Sequence, residues 1–561
     1  MILLLLIKII LVGDNVANLE WKRFDKAEIE KTHGKIYFYR DLYEGNHSEI
    51  FERAKKLIEQ GEIVDNIIHG NRPSENVKTP YIIANMSKII AEIPAMFVSR
   101  SIGGLQSSLH DSVTGDDDID DIEDLEGLVD TPDNEGDFVT AEMVHNQQEL
   151  IEQIEKNSKL KLEHWSNVVQ QQVDGGLVGV PWLDEKGLRI EFKARDVYYP
   201  HDDGMGADLV YEIEIDEKEY LQVYRERVEG DDLHVRHILY ELNHSRETKE
   251  VEESLTKKLL GINQLKKVYK GRIRPFILYW ANEKTFMNPL GKSCLHNQEG
   301  KQDDINWTLT RNALTFERNG KPRIAVTPEI MRALQEKAYE RYGDESKIDH
   351  RDLEITTLDE KGNAIEVIQI DVTKIGDVSW VKDLMKLMLM ETKTSEKAVD
   401  FYLDNSGSRA QSGISKFYDL FTSLIKSEQI QQEYIYFIQE LVESALWLAN
   451  KQDNSIVVEE PEILLKSMIP ISRKEMIEEN TIAFEGANGK STQSLETTVR
   501  RNNPNASEEW IQEELERIEA EQSSDDSFSL MQGRQTLQGM MGYRDEEGNI
   551  DDGEENEEGE E

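Results

Sequence analysis

The spacing of apolar residues changes twice along this chain, and this change constrains the fold more than any other feature. Between residues 188 and 242 apolar and polar residues alternate, which is typical of half-buried strands. The runs 209–215, 219–228 and 233–242 are separated by short polar turns and predict an antiparallel meander. On both sides the spacing is helical, with predicted helices over residues 46–60, 80–94, 140–173, 293–318, 328–342, 378–393, 414–450 and 508–521. The sequence therefore predicts a mixed α+β fold that is mainly helical.

The charge is strongly negative and unevenly distributed. Asp and Glu number 111 against 65 Lys and Arg, which gives a formal net charge of −46. Residues 111–137 and 545–561 contain no Lys or Arg, and such acidic runs usually remain disordered. Most of the surface is therefore expected to repel phosphate, although a local basic contact with nucleic acid stays compatible with this composition.

The single cysteine bears on the redox compartment of the protein, and the apolar N-terminus bears on whether it could span a membrane. One cysteine, Cys294, excludes a disulfide framework, a zinc-cysteine cluster and a CxxC redox pair within one chain, and it fits a reducing compartment. The apolar run Met1–Val12 is shorter than the about 20 residues that a membrane span needs. Lys8 interrupts the run, and a buried strand or a mis-assigned start fits it better than a signal peptide.

The best match to a nucleotide-binding motif is incomplete. The run GANGKS at 486–491 offers Lys490 and Ser491, but Phe484 stands where a phosphate-binding loop needs its first glycine. A flexible loop is the favoured interpretation, and a nucleotide-binding hydrolase is kept as an alternative function.

Two further groups have the residue types of a functional site without its full pattern. Asp116, Asp118 and Asp120 resemble the start of a calcium loop, but Asp121 and Gly127 stand at the positions that require Gly and Glu. Cys294 and His296 could form a thiolate–imidazole pair, although a buried structural cysteine is far commoner. The sequence thus predicts neither catalytic residues, nor a metal site, nor a cofactor.

Four lysines recur near one helical face. Lys382, Lys386, Lys393 and Lys397 fall within a sector of about 60° if one helix carries them all. The rest of that helix is largely apolar, so it is expected to pack on several sides. A basic stripe on such a helix suits a ring of subunits around an aqueous channel, while a solvated face with extended lysines is the plainer interpretation.

Four stretches, in this order, resemble the portal proteins of tailed bacteriophages, specifically siphophages of Gram-positive hosts. They are residues 39–100, which include the N-x-x-K-x-I pattern at 85–90, the turn NPLGKS at 288–293, residues 391–418 and residues 494–521. The resemblance covers about residues 20–525 and excludes the apolar start and the acidic tail.

The resemblance implies a portal fold with wing, stem, clip and crown regions in a ring of about twelve subunits around a central channel. The implied regions are the uncertain N-terminus 1–19, wing 20–288, first stem helix 289–319, clip 320–372, second stem helix 373–395, tunnel loop 396–412, long wing helix 413–454, crown 455–530 and disordered acidic tail 531–561.

The resemblance also implies a function in which double-stranded DNA is packaged and ejected through the ring without sequence readout. The four lysines would line the channel, and the tunnel loop would touch or gate DNA with the residues Asp404, Asn405, Ser406, Gly407, Ser408 and Arg409. The implied partners are further copies of the chain, the terminase large subunit, the head–tail adaptor, and the major capsid and scaffolding proteins. The protein would be assembled in the host cytoplasm, reside in the virion and leave ATP hydrolysis to the motor. An acidic scaffold or adaptor without a channel is the other alternative.

Overall fold

The computed structural model has a mixed α+β fold and divides into two compact units, residues 1–469 and 470–561. It describes residues 20–65, 79–109, 141–184, 187–319, 323–326, 328–344, 346, 365–368, 378–400, 413–469, 473–486, 491–503, 506 and 510–518. None of the helices in these ranges is long and apolar enough to cross a membrane.

The named helices of the first unit are α1 (Lys26–His33), α2 (Ile36–Glu44), α3 (His47–Ile50), α4 (Glu52–Glu59), α5 (Met86–Ser101), α6 (Ala141–Asn157), α7 (Leu160–Asp174), α8 (Glu253–Leu260), α9 (Glu299–Asn319), α10 (Pro328–Tyr342), α11 (Val378–Glu391), α12 (Glu396–Asp400) and α13 (Gly413–Asn450). The second unit contains α14 (Arg473–Glu485) and α15 (Leu495–Asn502), and residues 510–518 are also helical.

The strands are β1 (Ile102–Gln106), β2 (Gly176–Asp184), β3 (Gly187–Ala194), β4 (Tyr198–Pro200), β5 (Gly206–Ile215), β6 (Lys218–Glu229), β7 (Asp232–Leu242), β8 (Thr248–Glu250), β9 (Lys266–Lys270), β10 (Leu278–Ala281), β11 (Arg323–Val326), β12 (Ile365–Ile368) and β13 (Glu462–Leu465). They form four sheets: β4-β5-β6-β7-β8 with β9 beside β7, then β10-β2-β3, β1-β13 and β11-β12.

The predicted meander is confirmed. β5, β6 and β7 pair antiparallel in sequence order, and their turns fall where the sequence places them. Asp216 and Glu217 both adopt positive φ, at 51° and 62°, which is the backbone twist of a tight two-residue hairpin. The next turn uses Gly230 at φ 66°. Local turn chemistry and alternation therefore determine the register of this sheet.

The main core lies between the long helix α13 and the sheet β10-β2-β3. Phe437 and Leu441 on α13 are buried against strand β2. A side-chain carbon at Gly179 would lie 2.5 Å from a methyl carbon of Leu441, so a larger residue there would force this buried side chain to shift. The prediction of a long helix over 414–450 is confirmed, with α13 beginning one residue earlier.

Several predicted helices differ from the observed ones at their ends. The helix predicted over 46–60 breaks at Phe51 into α3 and α4, and the one predicted over 140–173 breaks at Lys159, whose φ is 52°. Pro80 does not begin a helix; α5 begins after Asn85, whose side chain accepts a hydrogen bond from the Lys88 amide at 3.0 Å. Pro94, predicted as a helix end, lies inside α5 and is buried.

The structure describes part of the regions predicted as clip and crown. β12 confirms a strand in the run 364–370, and its partner is β11. The predicted strand over 353–358 and its hairpin turn lie outside the described residues. β13 pairs with β1, and the first unit extends to residue 469. The first residues of the predicted crown, 455–469, therefore belong to the first unit.

Candidate nucleic-acid interface

Helices α9 and α11, the two predicted stem helices, pack against each other. Ile305 on α9 and Leu384 and Met388 on α11 are buried in one cluster. At the end of α11, Glu391 accepts hydrogen bonds from Lys301 at 2.7 Å and from Gln298 at 3.0 Å, and the bond from Lys301 lowers the pKa of the Glu391 carboxyl. These two hydrogen bonds join the end of α11 to the start of α9.

A polar face of α9 holds the extended segment that precedes α5. The Gln302 side-chain oxygen accepts hydrogen bonds from the amides of the first two residues of α5, Met86 at 3.1 Å and Ser87 at 3.2 Å, and its side-chain nitrogen donates to the Ala84 carbonyl at 2.7 Å. Asn306 accepts from the Ala84 amide at 3.1 Å. These side chains satisfy backbone donors that would otherwise be buried without partners. The segment before α5 therefore stays extended along α9.

Helix α11 presents three different faces. At about 100° per residue, the buried residues span about 140°, and they are Val381, Leu384, Met388 and Leu389. A second sector of about 80° is exposed and mainly apolar, interrupted by Asp383; its apolar members are Trp380, Leu387 and Met390. Lys382 and Lys386 are exposed and lie about 40° apart, between these two sectors.

The four lysines do not lie on one helix, as a shared sector would require. α11 ends at Glu391, and Lys393 lies in the following turn with φ 54°. Lys397 lies on the separate short helix α12. All four lysine side chains are exposed, so the structure keeps them on the surface without aligning them on one helix.

Helix α13 holds the turn between α11 and α12. The Ser395 amide donates to the Ser423 hydroxyl at 2.7 Å, and Lys426 donates to the Thr392 carbonyl at 3.0 Å. Burial lowers the pKa of Lys426. Lys386 reaches across the turn to Glu396 at 3.7 Å, but both side chains are 60% exposed, so this ion pair contributes little.

An exposed apolar stripe on α13 was not predicted from the sequence. Four apolar residues stand on the surface of its first turns, at successive spacings of one, three and four: Phe417, Tyr418, Phe421 and Ile425. Their spacing is visible in the sequence, but the helical pattern alone does not show which side of the long helix stays exposed. A stripe of this kind indicates a contact that one copy of the chain does not complete.

The remaining candidate sites either lack the geometry that their proposed function requires or lie outside the described residues. Helix α14 directly precedes GANGKS, whereas a phosphate-binding loop follows a strand. Ser491 bonds the Gln493 carbonyl, and Lys490 lies outside the described residues, as do Asp404–Arg409 and Asp116–Asp120.

Cys294 and His296 do not have the chemistry of a thiolate–imidazole pair. Burial raises the pKa of the Cys294 thiol to about 11, which disfavours the thiolate. The His296 ring is hydrogen-bonded to the Tyr39 hydroxyl at 3.0 Å, and that hydroxyl donates to Glu299 at 2.8 Å. Across the described ranges, His, Cys, Asp and Glu side chains form no group of three that could hold a metal ion.

No protein-family model matches this chain, and no curated protein is significantly similar to it in sequence.

Proposed function

We propose that the chain is the subunit of a phage portal, a ring through which double-stranded DNA is packaged into and ejected from a capsid. The observation that carries this proposal is the three-faced helix α11. One face packs on its own subunit, a second exposes apolar side chains and a third exposes Lys382 and Lys386. Copies standing side by side would bury the apolar faces and turn the lysines toward a shared channel.

The exposed stripe on α13 supports the same arrangement. Together with Leu387 and Met390 on α11, its side chains provide apolar surface next to the turn that joins α11 to α12. Burial of such side chains stabilises association by about 25 cal/mol per Å². A neighbouring copy is the proposed occupant, and a ring of about twelve copies closes this contact head to tail.

The lysines would give the channel weak contacts with DNA. An exposed lysine neutralises a phosphate through a point charge and reads no base, so it permits movement of any sequence. The strongly acidic remainder of the chain would limit the strength of attachment. The clip, around α10–β12, would dock the terminase large subunit and then the head–tail adaptor, while other outer surfaces would meet the major capsid and scaffolding proteins. Such a ring would be assembled in the host cytoplasm and reside in the virion.

Charge reversal tests the channel assignment. The double variant Lys382→Glu and Lys386→Glu should reduce DNA packaging or retention while rings still assemble, because both side chains are exposed and bear no core contact. Lys257→Glu and Lys258→Glu, on the exposed side of α8, form the matched control with the same charge change. If both double variants package DNA equally well, Lys382 and Lys386 do not line the channel.

A further inference from the structure

Strand β13 has an edge that no other strand covers in one copy of the chain. Its partner β1 lies beside α6, where the Gln148 side chain donates to the Leu105 carbonyl at 3.2 Å. In the described ranges, β1 is the only strand that pairs with β13. Leu464 and Leu465, on opposite faces of β13, are 51% and 57% exposed. An exposed apolar edge of this kind is a template for a strand of another chain.

Strand β9 also has an open edge. It pairs with β7 on one side, and within the part of the chain that the structure describes no strand pairs with its other side. Lys266, Val268 and Lys270 share one face of β9, and Val268 is 46% exposed. Lys270 stands opposite Asp232 in β7, but that carboxylate accepts a hydrogen bond from the Gly271 amide at 2.9 Å. Among the described side chains, the exposed Lys270 has no ion-pair partner.

The two open edges carry opposite charge. Residues 261–282, which include β9, contain five Lys or Arg and no Asp or Glu, in a chain whose net charge is −46. Residues 452–465, which end with β13, contain four Asp or Glu and no Lys or Arg. Glu460 and Glu462 are exposed. Because surfaces of opposite charge attract each other and fix the register of a contact, the two edges are complementary.

One antiparallel register places like with like and charge with countercharge. In this register Leu464 stands opposite Val268, so that two half-exposed apolar side chains cover each other. Two residues away on the same face, Glu462 stands opposite Lys270, which gives that lysine an ion-pair partner.

The remaining pairs of this register are also compatible. On the other face Ile463 stands opposite Tyr269, and both side chains are half-buried in one copy. At the far end Lys466 stands opposite Lys266. The charge of Lys266 is already compensated by Glu253, at 2.6 Å.

We infer that β13 of one copy pairs antiparallel with β9 of a neighbouring copy, so that one sheet runs across the contact between subunits. The contact joins two different surfaces of the chain and is therefore head to tail, which is the arrangement that closes a ring. The inference rests on the proposed function, because it names a further part of the contact between neighbouring subunits.

Disulfide trapping between two differently tagged full-length chains tests this pairing. One chain carries Val268→Cys and the other Leu464→Cys, and the two are co-expressed, purified together and oxidised. Residues directly opposite each other in a sheet are close enough for a disulfide. A cross-linked dimer that carries both tags is expected in the mixed sample, and neither variant should give it alone. Leu255→Cys, exposed on α8, replaces Val268→Cys in the matched control, and the native Cys294 is common to all samples.

Exchange of the charged pair gives a second measurement. Lys270→Glu and Glu462→Lys should each weaken association up to about fivefold per contact in mass photometry, and the two changes combined in one chain should restore it. Rings that form without the cross-link, or a combined variant weaker than either single one, would overturn the pairing and leave the ring intact. A chain that stays monomeric would contradict both the pairing and the proposed function.

Discussion

The carboxylate of Asp208 should be among the most important polar groups for stability. It is fully buried in strand β5 and accepts two hydrogen bonds from Arg225 at 2.8 Å each, one from His201 at 2.9 Å and one from the Trp21 indole at 3.0 Å. Removing one partner of a buried ion pair costs about 3–5 kcal/mol, because the remaining charge stays buried. We therefore expect Asp208→Ala to lower the free energy of unfolding by that amount.

The matched control is an exposed ion pair of the same sheet. Lys218 and Glu241 lie 2.7 Å apart, with 61% and 42% of their side chains exposed. Glu241→Ala should cost about 0–1 kcal/mol. Urea unfolding of both variants, followed by circular dichroism, gives the comparison. If the two variants lose the same free energy of unfolding, burial does not determine how much an ion pair contributes to stability.

The same carboxylate predicts a pH dependence. Burial opposes ionisation of Asp208, but hydrogen bonds from Arg225 and His201 outweigh it and lower the Asp208 pKa below its usual 3.8. A carboxyl group whose pKa is lower in the folded state than in the unfolded state stabilises the fold. This stabilisation is complete above the unfolded-state pKa and is lost as the pH falls through the folded-state pKa. The stability difference between the original chain and Asp208→Asn should therefore shrink below about pH 4. A difference that grows on acidification would contradict this sign.

Two further predictions concern packing and assembly. Gly179→Ala should cost about 1–3 kcal/mol in urea unfolding, because its new methyl group meets the long helix, whereas Gly104→Ala, with open space around it, should not destabilise the chain. Leu387→Ser combined with Met390→Ser should weaken assembly by about 2 kcal/mol per interface, seen as dissociation on dilution in mass photometry. Leu255→Ser, exposed on α8, is the control, and identical dissociation of all proteins would exclude the α11 face from the interface.

The sequence predicted best where local signals agree with one another. Alternation and hairpin turns determine the meander, and an uninterrupted apolar pattern determines α13. Prediction from the sequence failed where contacts between distant residues determine the backbone conformation. The segment before α5 stays extended because Thr310 and Asn306 on α9 accept hydrogen bonds from its Ile82 and Ala84 amides, more than two hundred residues away in sequence. Pro94 remains inside a helix because both sides of α5 are packed in the core.

The candidate interface was predicted in part for the same reason. The positions of the lysines and the start of α11 could be read from the sequence. Its end could not, because Lys393 adopts a left-handed backbone that no residue preference indicates, and Ser423 and Lys426 on α13 hold the turn. The exposed stripe on α13 was missed because periodicity identifies apolar faces but not which face a subunit leaves uncovered.

The central claim is that many copies of α11 stand side by side around a hole wide enough for a duplex. Native mass measurement of the purified full chain, with negative-stain imaging of the same sample, tests it most directly. The account predicts a closed ring with about twelve times the mass of one chain and an open centre. A stable monomer or dimer at every protein concentration tested would contradict it.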